Sequence, residues 1–331
     1  MEQQGTTPGR AGGTSNTVHG VVNGVVLQAG NIHGDVHLHQ AALASAPAAP
    51  RPASDHRSSG LEPEVEVGAG RYLVHDQPAD AVSAGDGGAV VRQARCLRLT
   101  DRGGFGWLRR VEVRHGTPSA RHALRALAAE HDLLRRLSGE VPRLPVVLQF
   151  VEGPGDTATL VTAWPETRSH RACDPLDVLL LRGPLRDAGV LARVCDALAG
   201  LCTTLGALHA HRTVHGGLSP ARLIMCDDGS LSLRDLARTD PGPPEYPAPE
   251  QLARTSPGPW TDVHQVGAIA YHLVTGRPPN PRAPLPVSAW APDVPQDLAD
   301  TIDAALIPEY AKRPDAATLG ARLRGLAHPT H

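Results

Sequence analysis

Lysine is almost missing from this chain. Of 32 basic residues only Lys312 is a lysine. The skew accompanies a high Ala, Arg, Gly and Pro content and reads as a mark of genomic base composition. Its consequence is chemical: upstream of residue 312 every basic side chain that keeps a fixed charge is a guanidinium, which does not substitute for a compact ammonium. An excess of charge of either sign is missing too. A net charge of −2 leaves no electrostatic footprint for nucleic acid or for an anionic membrane surface. No run of 18 apolar residues occurs, and the N-terminal stretch lacks the basic-then-apolar order of a signal peptide. The cysteines, Cys96, Cys173, Cys195, Cys202 and Cys226, contain no C-x-x-C pair and no even-numbered framework. They read as small buried apolar residues in a reducing compartment. These absences predict a cytoplasmic protein that binds neither nucleic acid nor membrane.

What is present falls into two parts. The first 65 residues are mostly Gly, Ala, Ser, Pro and His. Within them residues 1–15 read as a disordered tail and 41–65 as an Ala/Pro/Ser linker, too poor in large apolar side chains to offset the entropy of ordering. The remainder, 66–328, suits one two-lobed α+β domain with a substantial core. Strand-like stretches at 71–77, 88–99 and 106–114 precede a helix over 119–137, with Ser119 as its cap and Leu124, Leu127, Leu134 and Leu137 at helical spacing. Two more strands, LPVVLQFVEG and ATLVTAWPE, lead to a hinge near Trp164 to Glu166. Beyond it the pattern turns helical, at 188–210, 261–275, 295–306 and 315–327.

The stretches LGALHAHRTVHGGLSPARLIMCDDGSLSLRDLAR, YPAPEQL, TDVHQVGAIAYHLVTGRPP and KRPDAATL follow one another at plausible spacing. Through them the domain resembles the eukaryotic-like protein kinase domain of bacterial serine/threonine kinases, which implies a bilobal fold with a small β-rich lobe and a large helical lobe. The resemblance assigns structural roles to several residues. Glu250 closes the A-P-E motif, Arg313 pairs with it, and Asp262 anchors the catalytic-loop backbone. Glu130 is the glutamate of the small-lobe helix, and Leu134, His215 and Leu236 belong to the apolar column joining the lobes.

The residues that perform phosphoryl transfer are missing from the same frame. Transfer relies on a lysine at the α- and β-phosphates, on Mg²⁺ held by Asp and Asn, and on an aspartate that accepts the substrate proton. In the degenerate catalytic loop, which keeps His215, Gly217 stands for the base, Ser219 for the γ-phosphate lysine and Arg222 for the metal-binding asparagine. Arg222 clashes with a cation there unless it turns towards Asp235. The D-F-G triplet becomes Asp235, Leu236 and Ala237, and either Arg109 or Arg110 must face Glu130 in place of lysine. Residues 76–88 hold glycines without G-x-G-x-x-G spacing, and only ten residues, four of them proline, separate Ala237 from Ala248. The pattern is that of a pseudokinase, with no catalytic set intact, no metal site and no required cofactor. Any ATP or Mg²⁺ binding would fall to Arg109, Arg110, Glu130 and Asp235. A divergent kinase using Asp235 alone for metal, or a nucleotide sensor without transfer, are the other readings.

The N-terminal stretch NTVHGVVNGVVLQAGNIHGDVHLH, within 16–40, alternates β-branched residues with glycine and has no charge before Asp35 and no proline. Such segments suit stacked cross-β layers. With Leu27, Gln28, Ala29 and Gly30 at its core it resembles bacterial amyloid signalling motifs, which are similar to the homotypic-interaction motif of animal necroptosis kinases. An ordinary N-terminal β-hairpin is the alternative. The amyloid resemblance implies assembly with itself or with an effector carrying a matching motif, hence a signalling adaptor.

Overall fold

The computed structural model describes residues 64–74, 80–83, 86–99, 103–236 and 244–328. The tail, the 16–40 motif with Leu27, Gln28 and Gly30, most of the linker, and Ala237 lie outside these residues.

The small lobe is one antiparallel sheet. Its strands are β1 (Glu64–Val67), β2 (Gly70–Val74), β3 (Asp80–Ser83), β4 (Ala89–Arg98), β5 (Phe105–Val113), β6 (Val147–Gly153) and β7 (Thr157–Trp164). Their order is β1-β2-β4-β5-β7-β6, with β3 on the other half of β4. β1 begins at Glu64, two residues before the expected domain start, and its EVEV alternation buries Val65 and Val67. Gly68 takes φ +57° in the β1–β2 turn, and a Cβ there would lie 3.1 Å from the Gln149 side chain of β6. The sheet therefore curls until its first strands meet its last. Inside the curl lie Val65, Val67, Tyr72, Val74, Ala94, Cys96, Leu108 and Val161.

Strand alternation gives β5 two faces. Leu108 points into the curl, while Trp107 and Val111 join other apolar clusters on the opposite side, towards the helix. That helix, α1 (Pro118–Leu137), buries Ala120, Ala123, Leu127, Glu130, Leu133, Leu134 and Leu137. Its cap is Thr117 rather than Ser119. The Thr117 hydroxyl accepts from Ala120 N at 3.2 Å and Pro118 occupies the first helical position, where its missing N–H costs nothing. The Ser119 hydroxyl bonds Asp86 instead.

The large lobe is built around α2 (Ala188–Ala210), long and apolar enough to cross a membrane by length and composition, but with nine side chains buried within the protein. Of the later helices, α3 (Pro249–Leu252), α4 (Pro259–Thr275), α5 (Gln296–Ala305) and α6 (Ala316–Ala327), α4 and α6 pack on it and α5 packs on those two, while the β8 (Leu223–Met225) and β9 (Leu231–Leu233) hairpin follows the catalytic loop. α6 approaches α2 closely because Gly320 has no side chain: a Cβ there would fall 2.9 Å from that of Cys202. Before α6, a 3₁₀ turn over Tyr310–Lys312 carries the lysine, ion-paired with Glu309.

Candidate interlobe site

The β4–β5–β7 register places Gln93, Arg109 and Leu160 abreast, and Arg95, Trp107 and Thr162 abreast two residues along. Arg109, on the helix-facing side of β5, is the arginine that meets Glu130. Its Nη1 and Nη2 each donate to the carboxylate at 2.8 Å, and both side chains are at most 1% exposed. Arg110 points to the other face and donates to Thr159 Oγ1 at 3.0 Å. Neighbouring residues of a strand cannot share a face, so the register excludes Arg110 from the tie. Glu130 Oε1 also accepts from Leu236 N at 2.8 Å. One carboxylate on α1 thus joins the sheet to the segment after β9. Burial opposes the charge on Arg109, but Glu130 more than restores it and its pKa stays raised.

Asp235 is buried beneath this tie. Arg222 pairs with its Oδ1, and Arg234 Nε donates to its Oδ2 at 2.8 Å. Burial alone would raise the carboxyl, yet Arg222, Arg234 and Arg109 hold it well below the usual carboxylate range. Arg222 has therefore turned towards Asp235, as the charge argument requires. Arg234, which the sequence reading passed over, continues the chain of contacts: its guanidinium lies 4.5 Å from the Trp107 ring centroid. Trp107 is 5% exposed and packs against Trp164, 5.6 Å between centroids, with Cys173 and Ile224. An indole, two guanidiniums and a carboxylate occupy the space between strand β5 and hairpin β8–β9.

A divalent cation here needs several oxygen ligands in a compact shell. Asp235 offers a carboxylate already engaged on both oxygens by guanidinium groups, and Arg222 supplies a like charge where a ligand is required. The arrangement does not fit a Mg²⁺–nucleotide complex.

The catalytic-loop backbone is held from below. Asp262, fully buried, accepts from His215 N at 3.0 Å, from Gly216 N at 2.7 Å and pairs with His209 Nε2 at 2.8 Å. Gln265 accepts from Leu218 N at 2.9 Å, and Gln251 donates to Gly216 O at 2.7 Å. His215 Nε2 donates to the Asp235 carbonyl at 3.0 Å while Nδ1 accepts from Gly217 N at 3.2 Å. That pattern demands a neutral ring, and burial lowers its pKa accordingly. Leu134, His215 and Leu236 are all buried, and so is the Ser219 side chain. Gly217 contributes no side chain. Glu250 and Arg313 form a bidentate pair at 2.9 and 3.0 Å, with Thr261 Oγ1 donating to the same carboxylate at 2.8 Å. The structure brings Arg109, Glu130, Arg222, Asp235 and His215 together; Glu250 and Arg313 form a separate structural tie.

Trp107 and Arg234 were legible in principle. Trp107 lies two residues before Arg109 and so shares its face, and Arg234 precedes the retained aspartate. Neither is a motif position, and motif matching alone does not weigh such residues.

No model of a known protein family matches the chain. Individual proteins do. It is 34% identical over 112 residues to the DNA damage-responsive serine/threonine-protein kinase RqkA of Deinococcus radiodurans, covering 29% of this chain and 17% of that one. It is 28% identical over 293 residues to serine/threonine-protein kinase PknK of Mycobacterium bovis, covering 77% of this chain and 25% of that one. The chain thus spans a quarter or less of the length of these two relatives. Among solved structures, a PknI kinase domain of Mycobacterium tuberculosis aligns with TM-score 0.52 and 20% identity over 81% of this chain and 99% of that one. The described residues from Glu64 onward adopt the protein kinase fold, a small β lobe followed by a helical lobe, and the chain is kinase-like.

Proposed function

We propose that this kinase-like domain transfers no phosphate and that the chain is a signalling pseudokinase. As an adaptor it couples recognition of a protein partner or ligand to amyloid-like assembly through residues 16–40, in a setting such as bacterial immunity or regulated cell death. The observation that carries the first half is the seating of Asp235 between Arg222 and Arg234. Phosphoryl transfer is positioning plus charge neutralisation by metal. Here the charge of the remaining metal ligand is neutralised by the protein itself, and Gly217 leaves no base to take a proton. Each such loss removes roughly 10²–10⁴ in rate, and together they exceed what proximity restores. What the domain keeps is a rigid shape with intact ties through Glu130, Asp262 and Glu250. Purified full-length protein with Mg²⁺ or Mn²⁺ and labelled ATP should show no transfer. Transfer above background that disappears in Asp235→Ala sinks the proposal and supports a divergent kinase, the reading favoured by the serine/threonine-kinase relatives.

The second half rests on the uncharged Val-Gly alternation and the Leu27-Gln28-Ala29-Gly30 core. Stacked in register, Gln28 side chains form an amide ladder, and the motif recruits a second copy of this chain or an effector with a matching motif. Full-length protein should seed fibres that bind thioflavin-T and diffract at about 4.7 Å. Gly30→Pro, which removes a ladder donor, should abolish them; equal assembly by that variant refutes this half.

A further inference from the structure

Cys173 and Cys226 lie on either side of an isolated antiparallel bridge that nothing in the proposed function uses. Pro175 bridges Ile224, and Met225 N donates to Asp174 O at 2.9 Å. Two residues beyond the bridge, and one beyond the bonded Asp174–Met225 pair, the same register makes Cys173 and Cys226 the next cross-chain pair. Directly opposed Cα atoms in such a pair lie about 4.5–5.5 Å apart, inside the roughly 4.4–6.8 Å that a disulfide spans. The electrostatics agree with this placement: Cys226 and the Asp227 backbone both act on the Cys173 thiol. Both cysteines are free thiols in this structure; Cys173 is buried and Cys226 half-buried at the surface.

We infer that Cys173 and Cys226 are a redox modification site, closing to an intramolecular disulfide when the protein meets a hydroperoxide. Cys226, the more accessible sulfur, reacts first. Its thiolate attacks one peroxide oxygen, an S–O bond forms, the O–O bond breaks, and the departing oxygen takes a proton to leave as water. Cys173 then gives up its proton and attacks the Cys226 sulfur; the S–S bond forms, the S–O bond breaks and a second water leaves. Two thiols and one hydrogen peroxide become one disulfide and two waters.

Burial pushes the Cys173 thiol up to about 11 and raises Cys226 as well, although Ser230 and Arg143 pull Cys226 the other way. At neutral pH both are therefore mostly protonated, and the reaction is slow and base-accelerated. The bond joins two pieces of the cleft floor. The Cys173 carbonyl accepts from Trp164 Nε1 at 2.8 Å, and Cys226 follows the strand that leaves Arg222. Oxidation would make that floor one covalent unit whether or not the domain transfers phosphate.

The test uses the full chain, reduced, treated with hydrogen peroxide at pH 7 and pH 8, alkylated and analysed by intact mass and peptide mapping. The expected product has lost two hydrogens, yields a linked Cys173–Cys226 peptide and reverts with dithiothreitol. It should form about tenfold faster at the higher pH, following the thiolate fraction, and unfold roughly 5–10 °C higher. Cys226→Ser should give no disulfide. Cys173→Ser, with Cys173→Ala as a second variant should the first fail to fold, should leave Cys226 as a sulfenic acid trapped by dimedone. A different cysteine pair, a dimer linked through Cys226, or over-oxidation of Cys226 in the wild type each overturns the assignment.

Discussion

Glu130→Gln is the sharpest test of how the two lobes are coupled. The glutamate accepts two hydrogen bonds from Arg109 and one from Leu236 N, all at 2.8 Å and all away from water. Glutamine matches its shape but offers one oxygen, and its amide turns a donor towards a guanidinium. Two charge-assisted bonds weaken, and three arginines, Arg109, Arg222 and Arg234, are left around the single carboxylate of Asp235. Breaking a buried pair by removing one partner costs about 3–5 kcal/mol, because the other charge stays desolvated. At about 2–4 °C per kcal/mol for a domain of this size, unfolding should shift down by roughly 6–20 °C. Thermal and urea unfolding followed by circular dichroism measure it. Arg110→Gln, which loses the bond to Thr159 and leaves the Arg109–Glu130 pair in place, is the comparison and should cost about 1 kcal/mol. The double variant Arg109→Met with Glu130→Leu should recover much of the loss, since apolar residues of similar volume often replace a buried ion pair without penalty. If Glu130→Gln unfolds within 2 °C of the wild type, the electrostatic argument for this tie is wrong.

Three further outcomes follow from the same structure. ATP with Mg²⁺ should raise the unfolding temperature no more than adenosine does, because Asp235 is already neutralised; a metal-dependent rise of several degrees, read by thermal shift, contradicts this. His264 on α4 is buried, neither of its ring nitrogens has a hydrogen-bond partner among the described residues, and burial lowers its pKa to about 4. The unfolded chain therefore binds the proton first: stability is full above about pH 6.5 and falls as pH drops towards 4, by up to roughly 3 kcal/mol. Urea midpoints at pH 7.5, 6 and 5 should decline in the wild type and decline less in His264→Leu. Thr117→Ala removes the cap of α1 and should cost about 1 kcal/mol in the same unfolding assay, while Ser119→Ala should cost less.

Long periodic elements were readable from residue order because packing and local preference agree in them. α2 spans 188–210 at both ends as expected, and α1 differs by one residue. The short pieces were harder. β1 has four residues at the margin of a linker whose composition argues against structure, and it forms because β2 and β6 are there to meet it. That Thr117 caps α1 in place of the expected Ser119 rests on a proline that fits the first helical position, a detail the apolar spacing does not contain. The site shows the same division. Arg222 turning to Asp235 follows from charge alone, whereas Arg109 over Arg110 depends on which face of β5 meets the helix, a property of the register and not of either residue. Trp107 and Arg234 enter only through tertiary packing. They fill the cleft from strand and hairpin positions that carry no motif.

The scarcity of lysine has a practical consequence at the base of the large lobe. Lys312 is the sole side-chain amine in the sequence, and at 66% exposure it stands in the turn beside Arg313, on a different element from every residue of the interlobe site. Amine-directed acylation of side chains can attach a dye or a surface at that position and nowhere else in the domain. Molecules immobilised through it would all present the same orientation, so a partner captured by one would be captured by all through the same face.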